Sequence, residues 1–128
     1  MMDTKLYSVL AMRTAKPMEP NDDMMHAALG IAGEAGEFAD AVKKVLVYGR
    51  QVDRENLIEE LGDLLWYINL AVNVLGETFE NVMIANIAKL AVRYPDKYSD
   101  QLAEDRLDKQ VAKNEVSTTL TNGDKDVY

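Results

Sequence analysis

The chain contains no cysteine, which excludes a disulfide framework, a thiolate metal site and a cysteine nucleophile. It also lacks an apolar run long enough to span a bilayer, since the longest, Leu64 to Leu75, is short and contains two asparagines. The amino terminus has no signal-peptide pattern. Acidic residues outnumber basic ones, and the net charge of -8 argues against a general nucleic-acid-binding surface. We expect a cytoplasmic protein that binds neither a membrane nor a nucleic acid polymer.

The apolar residues recur at helical spacing, and no strand pattern competes with them. A length of 128 residues suits one compact domain. We therefore predict an all-α fold, a bundle of three main helices within residues 1–98 that is completed by oligomerisation. Residues 3–15 should form a short helix before the bundle. Residues 99–128 should be a weakly helical or flexible extension that ends in the polar tail TTLTNGDKDVY.

The three main helices are delimited by cap residues at their starts and by glycine or proline at their ends. Gly49 and Gly76 should stop the first two helices. The predicted ranges are Asn21 or Asp22 to Tyr48, Asp53 to Leu75, and from a Thr78 cap to a point before Pro95.

The second main helix is apolar on two sides. Trp66, Leu70 and Val74 point away from its main apolar stripe, which should face inward. One small subunit should not cover both sides, so we predict a homodimer or homotetramer whose interface includes this surface. The alternative is a helix that is central to its own domain. The main stripe consists of Leu57, Leu61, Leu64, Leu65, Ile68, Val72 and Leu75.

Two carboxylate pairs are the most informative motif: Glu34 and Glu37 in GEAGEFAD, and Glu60 and Asp63 in EELGDLLWY. Residues three apart lie on one face of a helix, so two adjacent helices would bring the four carboxylates together. Their mutual repulsion requires a counterion, and a hard cation such as Mg²⁺ is the natural candidate. Solvated surface acids are the alternative interpretation.

The surroundings of these acids favour the metal interpretation. Glu60 and Asp63 lie in an otherwise apolar helix without a neighbouring cation, where burial of an unpaired carboxylate is costly. Glycines lie beside both pairs, although each costs roughly 1 kcal/mol inside a helix. They indicate that a facing helix or a ligand approaches the backbone closely. These glycines are Gly30, Gly33, Gly36 and Gly62.

Two further groups of residues complete the candidate site. Asn86, Lys89 and Arg93 project from one face of the third helix, where the two cations could bind phosphate oxygens or could be ordinary charges near a helix carboxyl end. Lys44 closes one end of the face that carries the first acidic pair. His26 lies on that face too, but a lone histidine is more often structural, so we leave it outside the predicted site.

The segments GIAGEAGEFADAVKK, EELGDLLWYI and NIAKLAVRYP together resemble the MazG-like nucleoside triphosphate pyrophosphohydrolases, in their short single-domain form, over roughly residues 24–98. The resemblance implies a Mg²⁺-dependent hydrolase, with Mn²⁺ as a possible substitute, that cleaves nucleoside triphosphates between the α and β phosphates. It implies that Glu34, Glu37, Glu60 and Asp63 hold the metal. Short members of the family commonly form dimers or tetramers, which agrees with the predicted oligomer.

The resemblance also implies roles for other residues. Lys89 and Arg93 match positions suited to the phosphate chain, with Asn86 opening that segment, and Tyr67 resembles an aromatic residue that contacts the nucleotide. For the general base we name Glu37, since a carboxylate not fully engaged with metal could accept a proton.

Three rival interpretations remain open. A superfamily relative dedicated to dUTP, dCTP or phosphoribosyl-ATP would share the same acidic cluster. A ferritin-like di-iron protein is disfavoured because the chain lacks the Glu-x-x-His pairs of that fold and has Asp23 rather than Glu three positions before His26. A non-catalytic helical interaction module would leave the buried acids and the helix glycines unexplained.

Overall fold

A computed structural model describes the backbone of residues 1–122 and the side chains of residues 1–115. Within that part of the chain all regular secondary structure is helical, so the predicted all-α fold is confirmed. The helices are α1 (Thr4–Met12), α2 (Pro20–Tyr48), α3 (Arg54–Val74), α4 (Phe79–Arg93), α5 (Asp100–Asp105) and α6 (Leu107–Asn122).

The helix ends follow the predicted caps closely. Gly49 ends α2 in the left-handed region, at φ 62°, and Gly76 follows α3 at φ 69°. The Asp53 side chain accepts a hydrogen bond from the Asn56 amide at 3.0 Å, and the Thr78 hydroxyl accepts one from the Asn81 amide at 3.1 Å. The two polar caps satisfy free amides at helix starts, and the two glycines adopt the left-handed backbone that ends a helix. All four act through local geometry alone.

The start of α2 differs from the prediction. The helix begins at Pro20, after an N-cap Glu19 whose side chain makes no capping hydrogen bond. Proline is favoured in the first helical turn because its missing N–H needs no partner there and its φ is already helical. Asn21 and Asp22 therefore lie inside the first turn, where Asp22 interacts favourably with the helix dipole.

The first compact unit, residues 1–82, is built on a hairpin of α2 and α3. Residues 49–53 connect the two helices, and such a short connection returns the chain antiparallel to itself. The shorter α1 packs on α3. This hairpin carries both predicted carboxylate pairs.

Helix α1 covers the side of α3 for which we predicted a second subunit. The Trp66 indole Nε1 donates to the Ala11 carbonyl at 3.2 Å and to the Thr14 hydroxyl at 2.9 Å. Leu70 is only 4% exposed. The chain thus covers part of this side with its own amino-terminal helix, while Trp66 and Val74 stay half-buried. The prediction that a second subunit packs here remains a prediction.

The predicted inward stripe of α3 is partly exposed instead. Val72 is buried, whereas Leu61 is 49% and Leu65 41% exposed, and the neighbouring Ile58 is also exposed. Oligomerisation itself remains a prediction, and this is the apolar surface of α3 that a second subunit could cover.

The second compact unit begins at Met83. It contains most of α4 and the helices α5 and α6, so residues 100–105 and 107–122 of the predicted extension are helical. The Ser99 hydroxyl caps α5 by accepting from the Leu102 amide at 3.2 Å. The predicted polar tail is helical as far as Asn122, and residues 123–128 lie outside the described residues. The division of the chain at residue 98 remains a prediction.

Over the described part of the chain, no helix combines the length and apolar character that crossing a membrane requires.

Candidate functional site

Three of the four predicted acids meet on the α2–α3 hairpin. Glu34, Glu60 and Asp63 each offer one carboxylate oxygen, and these oxygens all lie within 4.8 Å of one another. Glu34 and Glu60 are half-buried, and Asp63 is exposed. The group is therefore open to solvent on one side and enclosed by the helices on the other.

Among the described side chains, no lysine or arginine forms an ion pair with this carboxylate group. The ion pairs found among the described side chains join Asp40 to Lys43 and Lys44, and Arg93 to Asp108. Burial raises the pKa of Glu60, and the charges of nearby carboxylates, Glu34 foremost, raise it further. Three carboxylates held this close together fit a hard divalent cation, which would offset their charges and accept their oxygens as ligands.

Glu37 lies outside the three-carboxylate group and is exposed. Glu37 is nevertheless near Glu60, because its charge contributes to the raised pKa of Glu60. On an ideal helix a three-residue step leaves two side chains about 60° apart and nearly one turn apart along the axis. Because both pairs have this spacing, the spacing alone does not determine which members join the group.

Tyr67, the predicted nucleotide contact, belongs to an aromatic cluster with His26 and Trp66. Its ring lies edge-on to the His26 ring at 5.4 Å and to the Trp66 ring at 5.0 Å between centroids. A Cβ atom built at Gly30 would overlap the Tyr67 ring. The prediction that a glycine permits close approach is confirmed here, with Tyr67 as the approaching group.

The remaining glycines near the acids have open space before them. A Cβ at Gly33, Gly36 or Gly62 would meet no atom of the described structure within 4 Å. Close packing inside the described chain therefore does not explain these three residues. A ligand or a second subunit could use the space.

The cations predicted for phosphate binding lie on α4, in the second unit. Asn86 and Lys89 are exposed there. Arg93 donates from Nε and Nη2 to the two carboxylate oxygens of Asp108, at 2.7 and 2.9 Å. These bonds raise the pKa of Arg93 and lower that of Asp108. One edge of the Arg93 guanidinium is thus occupied by a partner that sequence spacing did not indicate.

Sequence reasoning missed a cation at the closed end of the hairpin. Arg50, directly after the helix stop Gly49, lines a cleft together with Lys44. Lys44 was identified from its helical face, but Arg50 lies in a connection without periodicity. Its position next to a predicted turn was the only available signal.

Comparison with known proteins gives one family and one relative. Residues 24–98 match the family model of the MazG nucleotide pyrophosphohydrolase domain. The chain is 32% identical over 101 residues to the Gene 37 protein of Mycobacterium phage L5, an alignment that covers 72% of this chain and 89% of that protein. No solved structure matches the chain. The matched segment includes all three carboxylates of the group and Tyr67.

Proposed function

Because the chain belongs to the MazG nucleotide pyrophosphohydrolase family, we propose that it hydrolyses nucleoside triphosphates between the α and β phosphates. The products would be a nucleoside monophosphate and pyrophosphate. The observation that carries this proposal is the group of Glu34, Glu60 and Asp63, whose oxygens converge within 4.8 Å without an ion pair to any cation of residues 1–115.

Magnesium is the proposed cofactor, with Mn²⁺ as a substitute. Glu34, Glu60 and Asp63 would hold the ion, since carboxylate oxygens are its preferred protein ligands. Mg²⁺ commonly keeps several waters and binds substrate phosphates directly, which suits a group with one exposed side. When bound, the ion supplies positive charge that offsets the charge of the triphosphate during anhydride cleavage.

Glu37 is the proposed general base. It is exposed and close to the three-carboxylate group without belonging to it. A carboxylate in this position can accept a proton from the attacking water while its neighbours act as metal ligands. Its participation as an additional metal ligand also remains part of the proposal.

Substrate binding is assigned to Tyr67, Asn86, Lys89 and Arg93. Tyr67 would contact the nucleoside through the part of its ring left open by the aromatic cluster. Lys89 would bind phosphate oxygens, with the Asn86 amide beside it. Arg93 would contribute only through the guanidinium edge that Asp108 does not occupy.

A homodimer or homotetramer is the proposed assembly. The support is the apolar surface of α3 around Ile58, Leu61 and Leu65, which the described residues leave exposed. Light scattering coupled to size exclusion would measure the assembly, and replacement of Leu61 and Leu65 by serine should shift it toward the monomer.

A panel of triphosphates tests the proposed reaction and its substrate. Canonical, deoxy and damaged triphosphates, together with phosphoribosyl-ATP, would be incubated with the protein and Mg²⁺ and scored for pyrophosphate. Turnover confined to dUTP, dCTP or phosphoribosyl-ATP would identify a dedicated enzyme with the same carboxylate group. Absence of turnover across the panel would favour a non-catalytic helical module.

A further inference from the structure

A cleft of about 520 Å³ lies at the closed end of the α2–α3 hairpin. The end of α2 forms one wall and the start of α3 the other, with the connecting residues between them. None of the residues in its lining belongs to the three-carboxylate group. The lining includes Ala41, Lys44, Arg50, Asp53, Asn56 and Leu57.

The charged residues that line this cleft, Lys44, Arg50 and Asp53, carry a net positive charge, although the net charge of the chain is -8. Lys44 pairs with Asp40 at 2.8 Å, but Asp40 is shared with Lys43. No carboxylate of the described residues lies within ion-pair distance of Arg50. Asp53, the acid of the lining, uses one oxygen to cap its own helix. The guanidinium therefore retains its donors for a ligand.

The cleft lies beyond the carboxylate group on the same two helices. Ala41 lies two turns beyond Glu34 on α2, a rise of about 10 Å along the axis, and Leu57 lies about one turn before Glu60 on α3, a rise of roughly 5 Å. The Lys44 pKa is raised, mainly by its hydrogen bond to Asp40 and in smaller part by Glu37, while the charge of Arg50 opposes the shift. Glu37 therefore lies near both the group and the cationic cleft.

Three chemically distinct regions thus follow one another along the hairpin. The aromatic cluster lies toward the start of α2, the three carboxylates lie in the middle, and the two cations lie at the closed end. A ligand that spans all three regions has an aromatic end, a metal-binding anionic centre and a second anionic end. A nucleoside triphosphate whose α phosphate lies nearest the aromatic cluster has these features.

We propose that Arg50 and Lys44 bind the terminal phosphates of the substrate, and that they hold the pyrophosphate after cleavage. This assignment rests on the proposed function and gives the substrate a direction along the hairpin. Arginine suits the role because its planar fork matches two phosphate oxygens at once. The amide side chain of Asn56 lines the same cleft and can donate to a third oxygen.

Binding of inorganic pyrophosphate tests the assignment without requiring turnover. Calorimetric titrations with Mg²⁺ present would compare the wild type with R50Q and K44Q. Matched controls are R54Q and K43Q, which remove the same charges from neighbouring residues outside the cleft lining. We expect R50Q to weaken pyrophosphate binding by about tenfold or more, as the loss of a charge-assisted hydrogen bond predicts. The controls should change it by no more than about twofold.

A second measurement tests whether Arg50 contacts the terminal phosphates and not the nucleoside monophosphate part of the substrate. Binding of a nucleoside monophosphate should be the same in R50Q and R54Q, and R50K should restore part of the pyrophosphate affinity. Equal affinities of R50Q and R54Q for pyrophosphate would overturn the assignment, as would a wild type that binds no pyrophosphate. A wild type that binds pyrophosphate through Arg50 but cleaves no triphosphate would instead overturn the proposed function and leave the anion site standing.

Discussion

A carboxylate oxygen of Glu34 on α2 lies within 4.8 Å of one of Glu60 on α3. The two helices meet along the hairpin and hold these like charges together, with Asp63 completing the group. Repulsion between these carboxylates should lower the stability of the metal-free protein, and a bound divalent cation should restore it.

Replacement of Glu60 by glutamine should stabilise the metal-free protein and abolish its activity. The substitution removes one of three mutually repelling charges and one metal ligand while leaving the side-chain shape unchanged. Thermal unfolding in a chelator should show a higher midpoint for E60Q than for the wild type. Added Mg²⁺ should raise the midpoint of the wild type more than that of E60Q.

The control for this prediction is E59Q, which removes an adjacent exposed charge outside the group. It should retain activity and should respond to Mg²⁺ as the wild type does. Activity retained in both E60Q and D63N would refute the metal-site assignment.

The stability of the metal-free protein should depend on pH through Glu60. Its pKa is higher in the folded state than the ordinary value of 4.5, because of burial first and neighbouring carboxylates second. The folded state therefore binds this proton more readily than the unfolded state. The stability that the bound proton contributes is fully present below the ordinary pKa. That contribution is lost as pH rises through the folded-state pKa.

Unfolding of the wild type and E60Q across a pH series measures this contribution. The stability advantage of E60Q should be largest near neutral pH and should shrink as the solution becomes acidic. An advantage that does not vary between neutral and acidic pH would contradict the assigned repulsion.

Alanine at Gly30 and at Gly33 should have opposite effects on stability. A Cβ at Gly30 overlaps the Tyr67 ring, and overpacking of this kind typically costs about 1–3 kcal/mol. A Cβ at Gly33 meets no described atom within 4 Å, so G33A should gain about 0.5–1 kcal/mol from the better helix propensity of alanine. Chemical denaturation of both variants without ligand measures the difference.

The activity of G33A then decides what the open space is for. Lower activity in a variant of higher stability would indicate that substrate approaches the helix backbone at this point. Unchanged activity would indicate that Gly33 has no part in substrate binding.

The pair of Arg93 and Asp108 should stabilise the second unit. Its side chains are 17% and 3% exposed, so D108N would leave the guanidinium without the charged partner of both its hydrogen bonds. We expect a lower unfolding midpoint for D108N than for D96N, a control that removes an exposed charge. Because pairing lowers the Asp108 pKa, the stabilisation should be present above the ordinary value of 3.8 and lost as pH falls through the folded-state pKa.

Equal midpoints of D108N and D96N would show that the pair contributes nothing to stability.

The features that sequence predicted best are local ones. Gly49, Gly76, Asp53 and Thr78 end or begin helices through their own backbone freedom or through a hydrogen bond three residues away. The cover that α1 gives to Trp66 could not be predicted in this way. It depends on how the proline-containing connection between α1 and α2 positions α1 against α3. The periodicity within α3 carries no information about that position.

In the candidate site, too, local relationships could be predicted and contacts between distant segments could not. Helical spacing located Glu60 and Asp63 on one face and brought Glu34 opposite them, but it could not decide how far Glu37 stands from the group. The partner of Arg93 lies on another helix, and Arg50 lies in a connection. Neither relationship has a repeating pattern from which it could be predicted.

Phosphorus NMR of one reaction tests the central claim most directly. A triphosphate that the protein turns over would be followed with Mg²⁺, with a chelator, and with D63N in place of the wild type. The account predicts equal amounts of nucleoside monophosphate and pyrophosphate from the wild type with Mg²⁺, and no product in the other two reactions. Orthophosphate with a nucleoside diphosphate, or the same rate with the chelator, would contradict it.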